Sequence, residues 1–206
     1  MKILGLTGQS GAGKTLFATL LTEKGHPCIN ADELYHSMLI PPSKILDAIK
    51  TNFGEEFLLQ NGSLDRKKLG KHVFSSKERL KLLNETVLPI VTEKIAEIAD
   101  EYERSGATLL IIDAPTLFES GYDKSCDITV SIIASKEART DRIADRDKIS
   151  LEDAILRTNA QKDDSFYYEK SDYVIVNDKG LDDLKRKAER LICAMGICAN
   201  TKKHEQ

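Results

Sequence analysis

Several features that would assign this chain to a large functional class are missing from it. Its cysteines, Cys28, Cys126, Cys193 and Cys198, form no CxxC pair, and no histidines stand at finger spacing from them. That argues against a disulfide framework or a zinc site and leads us to expect four reduced, mostly buried thiols. His26, His36 and His204 stand alone and His72 sits among lysines, so the sequence offers neither a metal cluster nor a nucleophilic triad. Charge of one sign is also scarce. A formal net charge of −3 at pH 7 provides no global attraction for a polyanion, so nucleic acid is not an expected partner and any anion must be held by a local cluster. No apolar run reaches membrane-spanning length, and residues 1–6 begin a short strand pattern rather than a signal peptide. No membrane association and a cytoplasmic location are the expectations.

What remains is an ordinary soluble composition: 206 residues, 41% apolar and 31% charged. This size suits one domain with a smaller insert or lid, as a monomer or weak homo-oligomer. Short aliphatic runs at 2–7, 28–30, 108–112, 129–133 and 173–176 alternate with amphipathic stretches. Runs apolar on both faces and separated by helices predict a parallel sheet of about five strands, covered on both sides. The first helix is expected over 14–24, ending at Gly25 with Pro27 just beyond. From 33 to 106 the strand pattern disappears and helices are expected at 43–53, 65–73 and 76–104, with a break or kink near Leu88 because Pro89 follows. This region reads as a helical insert and the charged stretch 136–170 as a helical lid. The core comprises about 1–32, 107–135 and 171–195, and the tail from 196 to 206 is expected to fray.

The strongest chemical signal is Gly8-Gln-Ser-Gly-Ala-Gly13-Lys14-Thr15, which fits G-x-x-x-x-G-K-[ST] between a strand and a helix. Its glycines permit a tight turn that aims successive N–H groups at phosphate oxygens, and the helix N-terminus adds a favourable potential. Gly8, Ser10, Gly11, Ala12, Gly13, Lys14, Thr15 and Leu16 are thus candidate residues for binding a nucleoside triphosphate. Lys14 is expected to reach the β and γ phosphates and Thr15 to ligate Mg²⁺.

Four further features bear on the chemistry. Asp32 follows the second strand run, where the carboxyl end of a parallel sheet opens onto the phosphates; it either orients an attacking hydroxyl or only caps the next helix. Asp113 follows Leu109-Leu-Ile-Ile112, as a Walker B aspartate beside Mg²⁺ does, and as many plain strand ends do. Arg139, Arg142 and Arg146 share one helix face and suit a transferring phosphoryl group, yet Asp141, Asp145 and Asp147 are interleaved and offer internal ion pairs instead. The run from Asp65 to His72 is the most basic of the insert and either holds a second anionic substrate or is a solvated face.

A P-loop followed by Asp32, a helical insert, an arginine lid and no guanine-specificity motif points to small-molecule and nucleotide kinases. Within them the chain resembles the dephospho-coenzyme A kinase family from Lys2 to about Met195. The matching segments are Gly5-Leu-Thr-Gly8 through Thr15, Asn30-Ala-Asp32, Ser63-Leu-Asp65-Arg66 with Leu69, and Leu83-Asn84 with Pro89. Further along they are Asp113-Ala-Pro115 with Leu117-Phe118-Glu119, Arg142 with Arg146, Arg157 with Gln161, and Asp172-Tyr173-Val174-Ile175 with Asn177. The resemblance implies an α/β P-loop kinase fold and ATP-dependent phosphorylation of the ribose 3′-hydroxyl of dephospho-coenzyme A, with Mg²⁺. It further implies Asp32 as catalytic aspartate, Arg142 and Arg146 in the lid, Asn177 near the adenine, and Arg66, Leu117 and Glu119 facing the acceptor. The chain departs from the family pattern at Asn30, often aspartate, and at Leu88, often histidine. Two other functions fit the same loop: a shikimate or nucleoside monophosphate kinase, and a non-catalytic ATP-sensing switch.

Overall fold

The computed structural model describes residues 1–197. Strand β1 (Lys2–Gly8) lies at the centre of a five-stranded sheet in the order β2-β3-β1-β4-β5, where β2 is Cys28–Asn30, β3 Leu109–Asp113, β4 Ile128–Ile133 and β5 Tyr173–Val176. Every pairing is parallel. The expected strands are therefore present, each within a residue of its predicted ends.

Alternation along the strands divides the core into two layers. On one face Leu4, Leu6, Leu109 and Ile111 pack with Phe17 and Leu21 of α1 (Lys14–Thr22) and with Leu184 and Leu191 of α10 (Leu181–Ala194). On the other, Leu110 and Ile112 pack with the helices between β2 and β3: α2 (Ala31–Ser37), α3 (Lys44–Phe53), α4 (Arg66–Val73) and α5 (Lys77–Arg104). All five residues of β3 are buried, as a strand covered on both faces requires. Truncating a fully buried side chain such as Phe17 removes about 3–5 kcal/mol, a large share of a domain's net stability.

Local signals fix the helix ends. Ser43, Asp65 and Ser76, each predicted as a first helical residue, are caps whose side chains accept from Ile45 and Leu46, from Lys68 and from Arg79; each cap contributes about 1 kcal/mol. After α1, Gly25 at φ +88° lets its own N–H reach the Thr22 carbonyl and the His26 N–H reach that of Leu21, a Schellman closure.

Three expectations need correction. Pro89 does not break the chain: α5 runs continuously from Lys77 to Arg104. Val87, Val91, Ile95 and Ala99, spaced one turn apart, are buried along it, and that burial outweighs the one backbone bond proline removes. The thiols are not all reduced and mostly buried. Cys28 and Cys126 are free and half-buried, while Cys193 is exposed and disulfide-bonded; Cys198 lies outside the described residues. Spacing motifs report metal and redox pairs, and other disulfides carry no such signature. Of the tail, Gly196 and Ile197 donate to the Cys193 and Ile192 carbonyls rather than fraying, and the rest lies outside the described residues.

Between β4 and β5 the charged stretch forms α7 (Lys136–Asp147), α8 (Leu151–Asn159) and α9 (Asp164–Lys170), with α7 packed on α8 and α9 on β4 and β5. The short α6 (Leu117–Ser120) follows β3.

Candidate active site

Gly8 through Thr15 forms the turn from β1 into α1. Gly8 has φ +150°, and a Cβ there would lie 2.2 Å from the Ile132 carbonyl oxygen. Gly13 has φ +98°, and a Cβ there would lie 2.4 Å from Nδ2 of Asn177. Neither position admits a side chain. Inside the loop the Gln9 N–H donates to Ile132 and the Ala12 N–H to Gln9. Gly13 begins α1 without a side-chain cap. Among the described residues the N–H groups of Gly11, Gly13, Lys14, Thr15 and Leu16 therefore find no acceptor. Uncapped amides at the N-terminus of a nine-residue helix form an anion site.

They face a cavity of about 520 Å³ lined by the loop from Gly8 to Leu16, except Ala12, together with Pro115, Arg142 and Arg146. Ala12 is fully buried and takes part through its backbone alone. Register places Asn30 and Leu6 on either side of Asp113, so the ends of β2, β3 and β1 open onto one rim. There the Lys14 ammonium is ion-paired with the Asp113 carboxylate, which is itself 6% exposed. Asp113 is thus more than a plain strand end: it holds the lysine of the loop.

The three arginines of α7 separate. Arg142 donates to the carbonyls of Gly11 at 3.2 Å and Asn177 at 3.1 Å, bracing the loop from the cavity wall. Arg146 also lines the cavity; Nε and a terminal nitrogen of its guanidinium grip Asp147 at 2.7 and 3.0 Å, and Arg157 reaches the same carboxylate at 2.5 Å. These hydrogen bonds hold the Asp147 carboxyl below its ordinary range and the Arg146 guanidinium above its own. Arg139, 5% exposed, turns inward and donates to Ala134 and to Gln161. A shared helix face does not carry all three side chains to the phosphates. Of the interleaved aspartates, Asp147 pairs with Arg146 and Asp145 with Lys148.

At the β2 end of that rim, Asn30 is the cap of α2, its Oδ1 accepting from the N–H groups of Asp32 and Glu33 at 3.1 Å. The cap is therefore not Asp32, whose exposed carboxylate is left to the site. Burial, and then the negative charge of Asp32, pushes the Tyr122 phenol up to about 12. Burial also raises the Tyr35 phenol, with the Arg66 guanidinium pulling against it. Asp32, Tyr122, Tyr35 and Arg66 accordingly form one neighbourhood, and the two tyrosines carried no sequence signal. In the basic run Lys68 donates to the Glu56 carbonyl and stands 5.6 Å from the Phe57 ring centre, while the His72 ring meets that of Phe57 at a tilt of 54°, 4.9 Å between centres. Both residues make contacts within the insert, whereas Arg66 and Lys67 are exposed with no hydrogen bond from their side chains among the described residues.

Two further predicted site residues face inward. Leu117 is fully buried and packs against Gly5, which leaves no side-chain surface for an acceptor. Asn177 is 5% exposed and its Nδ2 donates to the Ala12 carbonyl at 2.8 Å, so its side chain clamps the loop. Glu119 is exposed on α6. Gln9 went unnoticed in the sequence: buried at the loop's first turn, its side chain donates to Asp164 at 2.7 Å and to the Lys162 carbonyl at 3.3 Å. No periodicity marks such a residue.

Comparison with known proteins agrees with this geometry. The family model described as dephospho-CoA kinase matches residues 2–183. Dephospho-CoA kinases of Fusobacterium nucleatum and Arabidopsis thaliana are each 37% identical to this chain, over 91% of it and 95% of the first protein, and over 93% of it and 83% of the second. A solved Thermus thermophilus protein superposes with a TM-score of 0.75 at 31% identity, covering 94% of this chain and 97% of its own. The dephospho-CoA kinase of Campylobacter jejuni superposes at 0.66 and 29%, covering 95% and 98%. A shikimate kinase from Acinetobacter baumannii, 18% identical, shares the fold at 0.50, covering 97% of this chain and 96% of its own. With a family model spanning most of its length and relatives above 30% identity, the chain belongs to the dephospho-CoA kinase family.

Proposed function

We propose that this chain transfers the γ-phosphoryl group of ATP to the ribose 3′-hydroxyl of dephospho-coenzyme A, giving coenzyme A and ADP, in the cytoplasm. The observation that carries the donor half is the cavity where uncapped amides, Lys14, Arg142 and Arg146 converge. The triphosphate lies along the loop, with Lys14 passing from Asp113 toward the phosphates. Arg142 and Arg146 offset charge on the transferring group and help exclude water, whose attack would only hydrolyse ATP. Asp32, exposed at the adjoining strand end, orients the ribose hydroxyl for in-line attack and accepts its proton. The acceptor binds over the neighbourhood of Arg66, Tyr35 and Tyr122, and Glu119, exposed on α6, is a further acceptor-binding residue.

The Thr15 hydroxyl lines the cavity and the Asp113 carboxylate adjoins Lys14. Among the described residues no three His, Cys, Asp or Glu side chains gather as a metal cage. This donor set fits Mg²⁺, which prefers oxygen, keeps several waters and is usually held by one or two protein groups plus substrate phosphates. Thr15 and Asp113 would help to hold it, and it would supply positive charge that offsets the negative charge of the phosphates. The test is an acceptor panel with ATP. Transfer to dephospho-coenzyme A at least about tenfold faster than to shikimate, AMP or CMP is the expected result, the scale of one lost binding contact; faster transfer to any of those three overturns the reading.

A further inference from the structure

Beside the cavity, one of the ties between the P-loop and the α7–α9 region runs through a side-chain oxygen that takes two donors at once. Oε1 of Gln161, in the turn between α8 and α9, accepts the Ser10 N–H at 2.8 Å and an Arg139 guanidinium N–H at 3.1 Å. Its Nε2 donates to the Arg157 carbonyl at 3.3 Å. Arg139 is buried and its Nε donates to the Ala134 carbonyl at 3.0 Å, while the Ala134 N–H donates to Oε1 of Gln9 at 3.4 Å. Arg142 takes the next carbonyl of the loop, at Gly11. The loop backbone at Ser10 and Gly11 is therefore gripped on its N–H by Gln161 and on its C=O by Arg142. Gln161 itself does not line the cavity.

We infer that Gln161 is a positioning residue for nucleotide binding. Its oxygen holds the Ser10 N–H and the Arg139 guanidinium together, fixing the loop in the shape that aims the Gly11 and Gly13–Leu16 amides at the phosphates. The Ser10 N–H is accordingly not a phosphate ligand. Losing the oxygen orphans a loop donor and a buried guanidinium N–H at once, and the loop relaxes to satisfy them. A hydrogen bond to a charged group contributes more than a neutral one, so the acceptor role dominates over the longer bond from Nε2. The inference deepens the proposed function and rests on its donor half, independently of which acceptor is phosphorylated.

The test compares Gln161→Leu, which removes the acceptor at nearly constant size, with Gln161→Glu, which keeps a carboxylate oxygen for both donors. ATP affinity is measured by calorimetry on the full chain without acceptor, at a temperature well below each variant's Tm. Gln161→Leu is expected to weaken ATP binding and raise the ATP KM by about tenfold or more with a much smaller change in kcat. Gln161→Glu is expected to bring affinity back to within about threefold of the unmodified protein. Wild-type ATP affinity in Gln161→Leu, or equal damage in both variants, overturns the inference; so does a lowered Tm with unchanged affinity, the mark of a purely structural role. Should Gln161→Leu not fold, hydrogen exchange at the Ser10 amide of the unmodified protein decides. Slowed exchange is expected, and exchange as fast as an exposed amide overturns it. Failure of the unmodified enzyme to phosphorylate dephospho-coenzyme A while these ATP results hold would count against the proposed function alone.

Discussion

The two halves of the site are built differently. In the proposed donor half, the backbone supplies most of the groups that line the cavity. The loop is pinned between β1 and α1, held by Asn177, Arg142 and Gln161, and presents amides whose direction the fold fixes. The proposed acceptor half is made of side chains on helices that pack chiefly on one another and on a single sheet face. Asp32 and Arg66 are exposed there, and the half-buried Tyr35 feels the charge of Arg66. Backbone amides recognise any phosphate chain, so the first half is legible as a motif and shared with kinases of other substrates. Selectivity among acceptors has to come from the second half, where single side chains decide.

This contrast orders the expected effects of substitution. The largest fall on the donor side. Gly13→Ala places a Cβ at φ +98° against Asn177, and ATP affinity measured by calorimetry should drop by about 10²-fold or more, given strain of about 1–3 kcal/mol before the collision is counted. Next is Asp32→Asn, which should lower kcat by at least about 10²-fold, as loss of a positioned base does, while leaving ATP affinity near that of the unmodified protein; unchanged turnover would remove Asp32 from the mechanism. Arg66→Ala should raise the KM for dephospho-coenzyme A by about tenfold and leave the ATP KM alone. An equal rise in both would erase the distinction between the halves.

The smallest effect is chemical. Cys28, between the halves on β2, is pushed up to about 11, first by burial and then by the Asp113 charge. An acid whose pKa is raised stays protonated below that value, so the thiol is neutral at pH 7 and reacts only as pH climbs toward 11. Iodoacetamide labelling followed by mass spectrometry should therefore find Cys28 slow at neutral pH and faster at alkaline pH.

Much of the donor half was readable from the chain. Periodicity and motif together located every strand within a residue, and the glycines at 8 and 13 are required by the contacts the structure shows. What escaped detection did so for physical reasons. Pro89 was overruled by tertiary burial, which local propensity does not contain. Asn30 reads as a missing carboxylate until its oxygen is seen capping α2 and freeing Asp32. The even spacing of Arg139, Arg142 and Arg146 says that they share a face, but not that the first turns into the protein. Leu117 and Asn177 lie within matching segments, and only packing shows that their side chains support the site from behind. Gln9 and Gln161 act through contacts more than a hundred residues apart along the chain, which no local pattern encodes.

In the proposed function a loop that binds any triphosphate is joined to a second surface that directs the γ-phosphoryl group to one hydroxyl. Phosphorus-31 NMR of a reaction containing ATP, Mg²⁺ and dephospho-coenzyme A tests it most directly. ADP together with one new phosphomonoester resonance, assigned by coupling to the ribose 3′ position, is the expected result. Inorganic phosphate without that resonance, or a phosphomonoester at another position, would contradict it.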